Sequence, residues 1–282
     1  DLFMFVVVIP PKFEEDVRKG RQPGVQINID ATAIGQASLG GSYIQNIISD
    51  EVNHFITRSD ETASSSVTLV QRRAFNPNGT TMWFSAIVSL LDNLSMLTII
   101  LTGAALLRER EHGTIEHLLV MPLTSFQIVM AKVWANGLII LVAFSLSATF
   151  VVEGLLDVPF AGSKVLLIGG TMFYLFAAAA IGIFLGTIAR TMAQFALLMM
   201  MTIMPMMMLS GGMSPIESQP EIIQPVTWLL PSRHYMEFAQ AVVFRGADLD
   251  IVWPQLLTVI VLGGIFFSAS LALFRRSITV SK

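Results

Sequence analysis

Apolar and polar positions divide the chain into two unequal parts. Beyond residue 81, five stretches are almost wholly apolar: 82–107, 127–152, 164–188, 193–212 and 255–274. Each reaches the about 20 residues that a helix needs to cross about 30 Å of hydrocarbon. The pattern therefore predicts five transmembrane helices. The connections differ in kind. Segment 108–126 is charged, 153–163 is short and acidic, 189–192 is a tight turn holding Arg190, 213–254 is long and rich in Pro and Gly, and the tail 275–282 is basic.

The first 80 residues follow another rhythm. Residues 2–9 form a continuous apolar run ended by Pro10 and Pro11, which predicts a buried strand. Residues 12–19 predict a short helix closed by Gly20. Val25, Ile27 and Ile29 alternate with polar residues, the period of a half-buried strand. Helix is predicted over 32–57 with a weak point at Gly40 and Gly41, polar loop over 59–66, and a further strand over 67–74. Together they make a small α/β domain over 1–80, ahead of a membrane domain over 81–282. The run at 2–9 lacks a basic flank and is too short to span a bilayer or to resemble a signal peptide. The chain is thus expected to begin inside a domain, with an earlier span before it that would make six.

Composition agrees with the pattern. Apolar residues make up 54% and charged residues 13%, against the roughly 25% charged of soluble domains, and the mean hydropathy is +0.68. This is an integral membrane protein. Residues 1–80 carry 16 of the 37 Lys, Arg, Asp and Glu. With no cysteine there is no disulfide, thiolate metal site or cysteine nucleophile, and a net charge of −3 argues against a nucleic-acid binder. Basic residues in short loops mark the cytoplasmic side. Arg108, Arg110, Lys132, Arg190, Arg275, Arg276 and Lys282 fall on one side, and Lys164, Arg233 and Arg245 on the other. The C-terminus is then cytoplasmic and residues 1–80 extracytoplasmic, in a multi-pass membrane protein.

Candidate chemistry is sparse. After the first span Gly113 breaks the helix, Thr114 can cap a new one, and Pro122 stops it. Ile115, Leu118, Leu119 and Pro122 share a face at i, i+3, i+4, i+7. A short amphipathic helix over 114–121 follows, lying either in lipid headgroups or against a cytoplasmic partner. Asp92 and Asn93 sit about 15 Å into the first span. A carboxyl there must face the bundle interior or water. It hydrogen-bonds a neighbouring span, lines a solute path or relays protons. Ala178, Gly182 and Gly186 form a ridge of small residues for close helix packing. The methionines around Pro205 suit adaptable packing better than a metal site. No metal site is expected. The chain contains no G-x-x-x-x-G-K-S/T loop, so it binds no nucleotide by that device. A membrane-embedded enzyme would need a catalytic set, and neither H-E-x-x-H nor G-x-S-x-G is present. A secondary transporter would need paired broken helices and more membrane charge.

Glu109, Arg110, Glu111, Gly113, Thr114, Glu116, Leu118, Leu119, Pro122 and Leu123, in this spacing, resemble the loop signature of type-2 ATP-binding-cassette (ABC) transporter permeases. A second segment also resembles them: 209–220, then 230–235, then 244–246, similar to the outer re-entrant segment before their last span. The domain before residue 80 resembles the extracytoplasmic insertion of the bacterial drug-exporter-like subgroup. The resemblance implies a permease subunit, not an enzyme, paired with a second and identical half. Two ABC ATPase subunits would carry the ATP and Mg, and this chain would bind no cofactor. Glu109, Glu111, Gly113, Thr114, Ile115, Glu116, Leu118, Leu119 and Pro122 would couple to the ATPase; Asp92 and Asn93, by their depth in the span, are the candidates for the solute path. Gly211, Gly212, Pro215, Pro220 and Pro231, in a re-entrant segment over 214–246, would shape the outer gate. Membrane lipid and a periplasmic adaptor are further expected partners. In intact cells, cysteines placed at Ser64 and Ser218 should react with an impermeant thiol reagent, and one at Ser277 should not; labelling at Ser277 alone would reverse the orientation.

Overall fold

The computed structural model of the protein describes residues 5–18, 24–30, 43–44, 47–48, 50–51, 68–74, 81–112, 124–212, 216 and 219–280. The chain divides into two compact units, Asp1–Phe84 and Ser85–Lys282.

The first unit carries a three-stranded sheet in the order β1-β2-β3, with β1 Phe5–Val8, β2 Gly24–Asp30 and β3 Thr68–Ala74. Strand β1 runs antiparallel to β2, with Val7 opposite Ile27, and β3 runs parallel to it, with Gln71 opposite Ile27. The alternation along β2 does what its period requires. Val25 and Ile27 are buried, while Gln26 and Asn28 face the other way and bond each other at 2.7 Å. The run at 2–9 is not the buried strand it predicts. Val6, Val7 and Val8 are each at least 40% exposed, because β1 is the edge of the sheet and successive side chains point to opposite faces. Helix α1 (Phe13–Arg18) follows β1. Of the helix expected over 32–57, the described residues at 43–44, 47–48 and 50–51 are helical. The loop expected over 59–66, and Gly20, lie outside the described residues.

The second unit is a helical bundle: α2 (Thr81–Glu111), α3 (Ser125–Leu146), α4 (Lys164–Ile188), α5 (Met192–Leu209), a short α6 (Gln224–Thr227), α7 (Pro231–Arg245) and α8 (Leu249–Val280). Helix α3 continues as a π-helical segment over Ser147–Glu153. Five stretches are long and apolar enough to cross a membrane: Met82–Glu111, Ser125–Glu153, Lys164–Ile188, Met192–Leu209 and Leu249–Arg276. They match the five read from the sequence, with ends shifted by a few residues where charged or capping groups extend the helix. Thr124 starts α3 with a reciprocal capping box to Gln127, and Ser163 and Thr191 cap α4 and α5.

Helix α4 is the centre. Ala177, Ala178, Ala179, Ala180, Gly182 and Gly186 are buried along it, and it packs against α3, α7 and α8. The ridge of small residues meets α2. A methyl group on Gly182 would stand 2.6 Å from the Ile99 carbonyl oxygen, and one on Gly186 would stand 2.6 Å from the Gly103 carbonyl oxygen. On the opposite side, Ser270 Oγ of α8 donates to the Ala180 carbonyl at 2.7 Å. Leu106, Val129, Ile183, Phe267 and Phe274 fill the space where α2, α3, α4 and α8 converge. By contrast α5 turns Met200, Met201, Met204 and Met208 outward.

Gly182→Val should push α2 and α4 apart and cost about 1–3 kcal/mol, the usual range for overpacking. Gly169→Ala, where a methyl group meets nothing within 4 Å, should instead be neutral or stabilising by up to about 1 kcal/mol. Thermal unfolding of the two detergent-purified variants measures both.

Candidate functional site

The end of α2 is bonded to three neighbouring helices. Its last turn is Arg108, Glu109, Arg110 and Glu111, and consecutive residues of a helix point about 100° apart. These neighbours therefore reach different helices. Glu109 pairs with Lys132 of α3, both part-buried. Arg110 Nη1 lies 3.3 Å from the Gly186 carbonyl oxygen, 2.8 Å from that of Thr187 and 3.2 Å from that of Ala189. These are carbonyls that the end of α4 leaves without an intrahelical partner, and a cation there also opposes the negative end of the helix dipole. Glu111 Oε1 accepts the Met192 N–H at 3.1 Å, the complementary contact at the N-terminus of α5. His112 Nδ1 donates to the Arg108 carbonyl at 2.7 Å. Three successive side chains thus tie α2 to α3, to the end of α4 and to the start of α5. Of the residues that the sequence points to for coupling, Glu109 and Glu111 belong to this tie. Gly113, Thr114, Ile115, Glu116, Leu118, Leu119 and Pro122 follow directly in the chain and lie outside the described residues.

Asp92 and Asn93, adjacent in sequence, go separate ways. Asp92 is 7% exposed, faces the interior, and its carboxyl has no hydrogen-bond partner among the described residues. Ser95, Thr98 and Thr102 continue that inner face. Thr98 and Thr102 return their hydroxyls to their own helix, at 2.6 Å to the Leu94 and Thr98 carbonyls. Ser95 Oγ lies 2.6 Å from the Tyr174 hydroxyl of α4. The Tyr174 ring stacks on Tyr235 of α7, centroids 4.0 Å apart and planes within 5°, and the Tyr235 hydroxyl meets Thr171 Oγ1 at 2.8 Å. Asn93 is on the outer surface of α2, where its Nδ2 donates to the Ser89 carbonyl at 2.7 Å.

The segment before α8 folds back on the bundle. Gly211 takes a positive φ of 88°, which glycine adopts without strain. Gly212 sits where a methyl group would come 2.8 Å from Val88 and 2.9 Å from Met236, so the turn that follows α5 is pressed between α2 and α7. The Pro220 carbonyl accepts the Ile223 N–H at 2.9 Å, and Pro231 supplies the first turn of α7, where no N–H is needed. Helix α7 lies along the first half of α4, with Phe238 against Gly170 and Tyr235 against Tyr174, and closes at Gly246 with φ 65°. Pro215 lies outside the described residues.

A family model described as "ABC-2 family transporter protein" matches residues 3–272. The chain belongs to the ABC-2 family of transporters. It is 49% identical over 276 residues to the "Inner membrane transport permease YhhJ" of Escherichia coli (strain K12), covering 98% of this chain and 74% of that one. It is 28% identical over 280 residues to the "Probable multidrug ABC transporter permease YbhR" of the same strain, with the same two coverages. A third relative there, the "Probable multidrug ABC transporter permease YbhS", is 25% identical over 276 residues, 95% of this chain and 70% of that one.

As an ABC-2 permease the chain is a membrane transport subunit. Two parts of its site escaped the sequence reading. The tyrosine stack joins residues 61 positions apart, which no local pattern reports; the one legible hint was the polar stripe of Asp92, Ser95 and Thr102 within an apolar span. The Arg110 contact was hidden because a loop arginine counts only as charge until the end of α4 is placed beside it. Arg110→Met should cost about 1.5–3 kcal/mol, the range for a hydrogen bond to a charged group, Arg110→Lys less, and Glu111→Gln least, since the amide oxygen still accepts from Met192. Melting temperatures in mild detergent would rank the three.

Proposed function

We propose that this ABC-2 permease is the membrane half of an ATP-driven exporter in the inner membrane. It moves a drug-like or hydrophobic solute outward, and a separate ABC ATPase subunit holds the ATP and Mg. The observation that carries this reading is the tie at the end of α2. Force applied to the segment just after His112 reaches α3 through Glu109, α4 through Arg110 and α5 through Glu111. That is what a segment driven by a partner motor requires. The names of the relatives, an inner-membrane permease and two multidrug ABC permeases, favour the same cellular place and cargo.

In this reading residues 114–121 form the coupling helix. Ile115, Leu118 and Leu119 contribute about 1.5–3 kcal/mol for each side chain fully buried against the ATPase. Glu116 adds less if its pairing stays exposed. The C-terminus is cytoplasmic, residues 1–80 are extracytoplasmic, and the segment 214–246 enters the membrane partway from outside, with Gly211, Gly212, Pro215, Pro220 and Pro231 shaping the exit. A second, identical permease half completes the path, and a periplasmic adaptor can dock outside. Asp92, enclosed within the subunit, acts as a structural carboxyl, while Asn93 is the residue of the pair that is open to solute.

Leu118→Asp and Gly113→Val should leave the protein inserted, with an unchanged melting temperature. ATPase copurification and solute efflux should both fall at least tenfold, the factor that about 1.4 kcal/mol represents. Wild-type copurification and efflux in Leu118→Asp would remove this helix from the coupling role.

A further inference from the structure

A groove of about 410 Å³ runs between α2 and the π-helical end of α3, in the half of the bundle away from the Glu109–Arg110–Glu111 tie. Ser89, Asn93 and Leu97 line one wall, and Ile140, Phe144 and Ser147 the other. Its size falls within the about 300–1,000 Å³ of sites for drug-sized ligands.

Three features define what fits. Among the described residues no ionisable side chain lines the groove, so an ion entering it would find no counter-charge from them in a medium where charge is costly. The walls are otherwise apolar, yet they carry polar groups with unused capacity. Asn93 spends one N–H on the Ser89 carbonyl; its second N–H and its side-chain oxygen have no partner among the described residues, and neither do the Ser89 and Ser147 hydroxyls. At membrane depth no water replaces a missing partner, so an open amide favours any occupant that hydrogen-bonds to it. Ser147 also begins the π-helical segment, and such widened turns concentrate at functional sites. An acyl chain would satisfy the apolar walls and leave the amide bare.

We propose that this groove is a binding site for an uncharged amphiphile that reaches it from the bilayer interior and hydrogen-bonds to Asn93. The proposal deepens the exporter reading by assigning the solute's chemical class and its place on the permease.

The test is photolabelling of the purified permease in lipid nanodiscs, without ATPase subunit or nucleotide, by N-octyl-4-benzoylbenzamide, with labelled residues located by mass spectrometry. A benzophenone-tagged phosphatidylcholine serves as the lipid control. The amide probe should concentrate on 89–97 and 140–151 and be displaced by N-octylbenzamide. Asn93→Leu should weaken its labelling about two- to tenfold, as loss of one hydrogen bond predicts, and Asn93→Gln should recover part of it. Ala143→Trp, which narrows the groove and leaves Asn93 in place, should abolish the labelling. The lipid probe should be indifferent to Asn93→Leu. Even labelling of every lipid-facing surface by the amide probe, no response to Asn93→Leu, or equal capture of the lipid probe in the groove would overturn the proposal. So would a disulfide between cysteines placed at Asn93 in two copies, which would make the groove a subunit interface. Because no ATPase is present, failure here leaves the coupling reading standing, and loss of that reading leaves this site standing.

Discussion

The backbone contact between α2 and α4 is the constraint on which the rest of the bundle depends. Inside a bilayer, helices gain little by hiding apolar side chains from one another, because lipid is equally apolar; close packing and hydrogen bonds decide which surfaces meet. Gly103 on one helix and Gly182 and Gly186 on the other let the two backbones touch, at a separation any side chain would forbid. That contact also sets a register. Ser95 meets Tyr174, and Arg110 meets the Ala189 carbonyl, each pair 79 positions apart in the chain, so the two helices run parallel and in step over that stretch. The glycine contact lies between the two joints, with the tyrosine stack near the middle of α2 and the arginine tie at its charged end.

Those two joints do different work with the same helix. Near the charged end, α2 is bonded to three neighbours by consecutive side chains. Near its middle, its inner face holds α7 indirectly, through Ser95, Tyr174 and Tyr235. Offset stacking of such rings contributes about 0.5–1.5 kcal/mol beyond burial. A displacement of α2 along its axis would load both joints together, which links the segment after His112 to the folded-back segment before α8. The outer face of α2 takes no part in this. Its side chains, Ser89 and Asn93 among them, remain open to the groove beside α3. A single helix therefore separates a face bonded into the bundle from one open to the groove, and the split runs between the adjacent residues Asp92 and Asn93.

Much of this was legible in the sequence. The five spans follow from the length of the apolar runs, since a single segment satisfies its own backbone across hydrocarbon only as a helix, and about 20 residues is the length that helix needs. The small-residue ridge on α4 announced a close helix approach, and the Glu109–Pro122 signature announced the family. The strand at Val25–Asp30 followed from its alternation. Residues 2–9 misled because an apolar run records hydrophobicity and not the number of neighbours; whether a strand is central or at the edge depends on pairing partners distant in sequence.

The sequence by itself determined the class of the protein: a multi-pass ABC-2 permease with a small α/β domain, because hydropathy, span length and a local motif are properties of contiguous residues. Only the tertiary structure decided what the individual polar residues do. Asp92 and Asn93 are adjacent and lie at nearly the same depth, and Arg110 is one of several loop cations. Their roles diverge because about 100° of helical rotation, and the register held by Gly103, Gly182 and Gly186, turn one group into the bundle, one toward the groove and one onto the carbonyls that end α4.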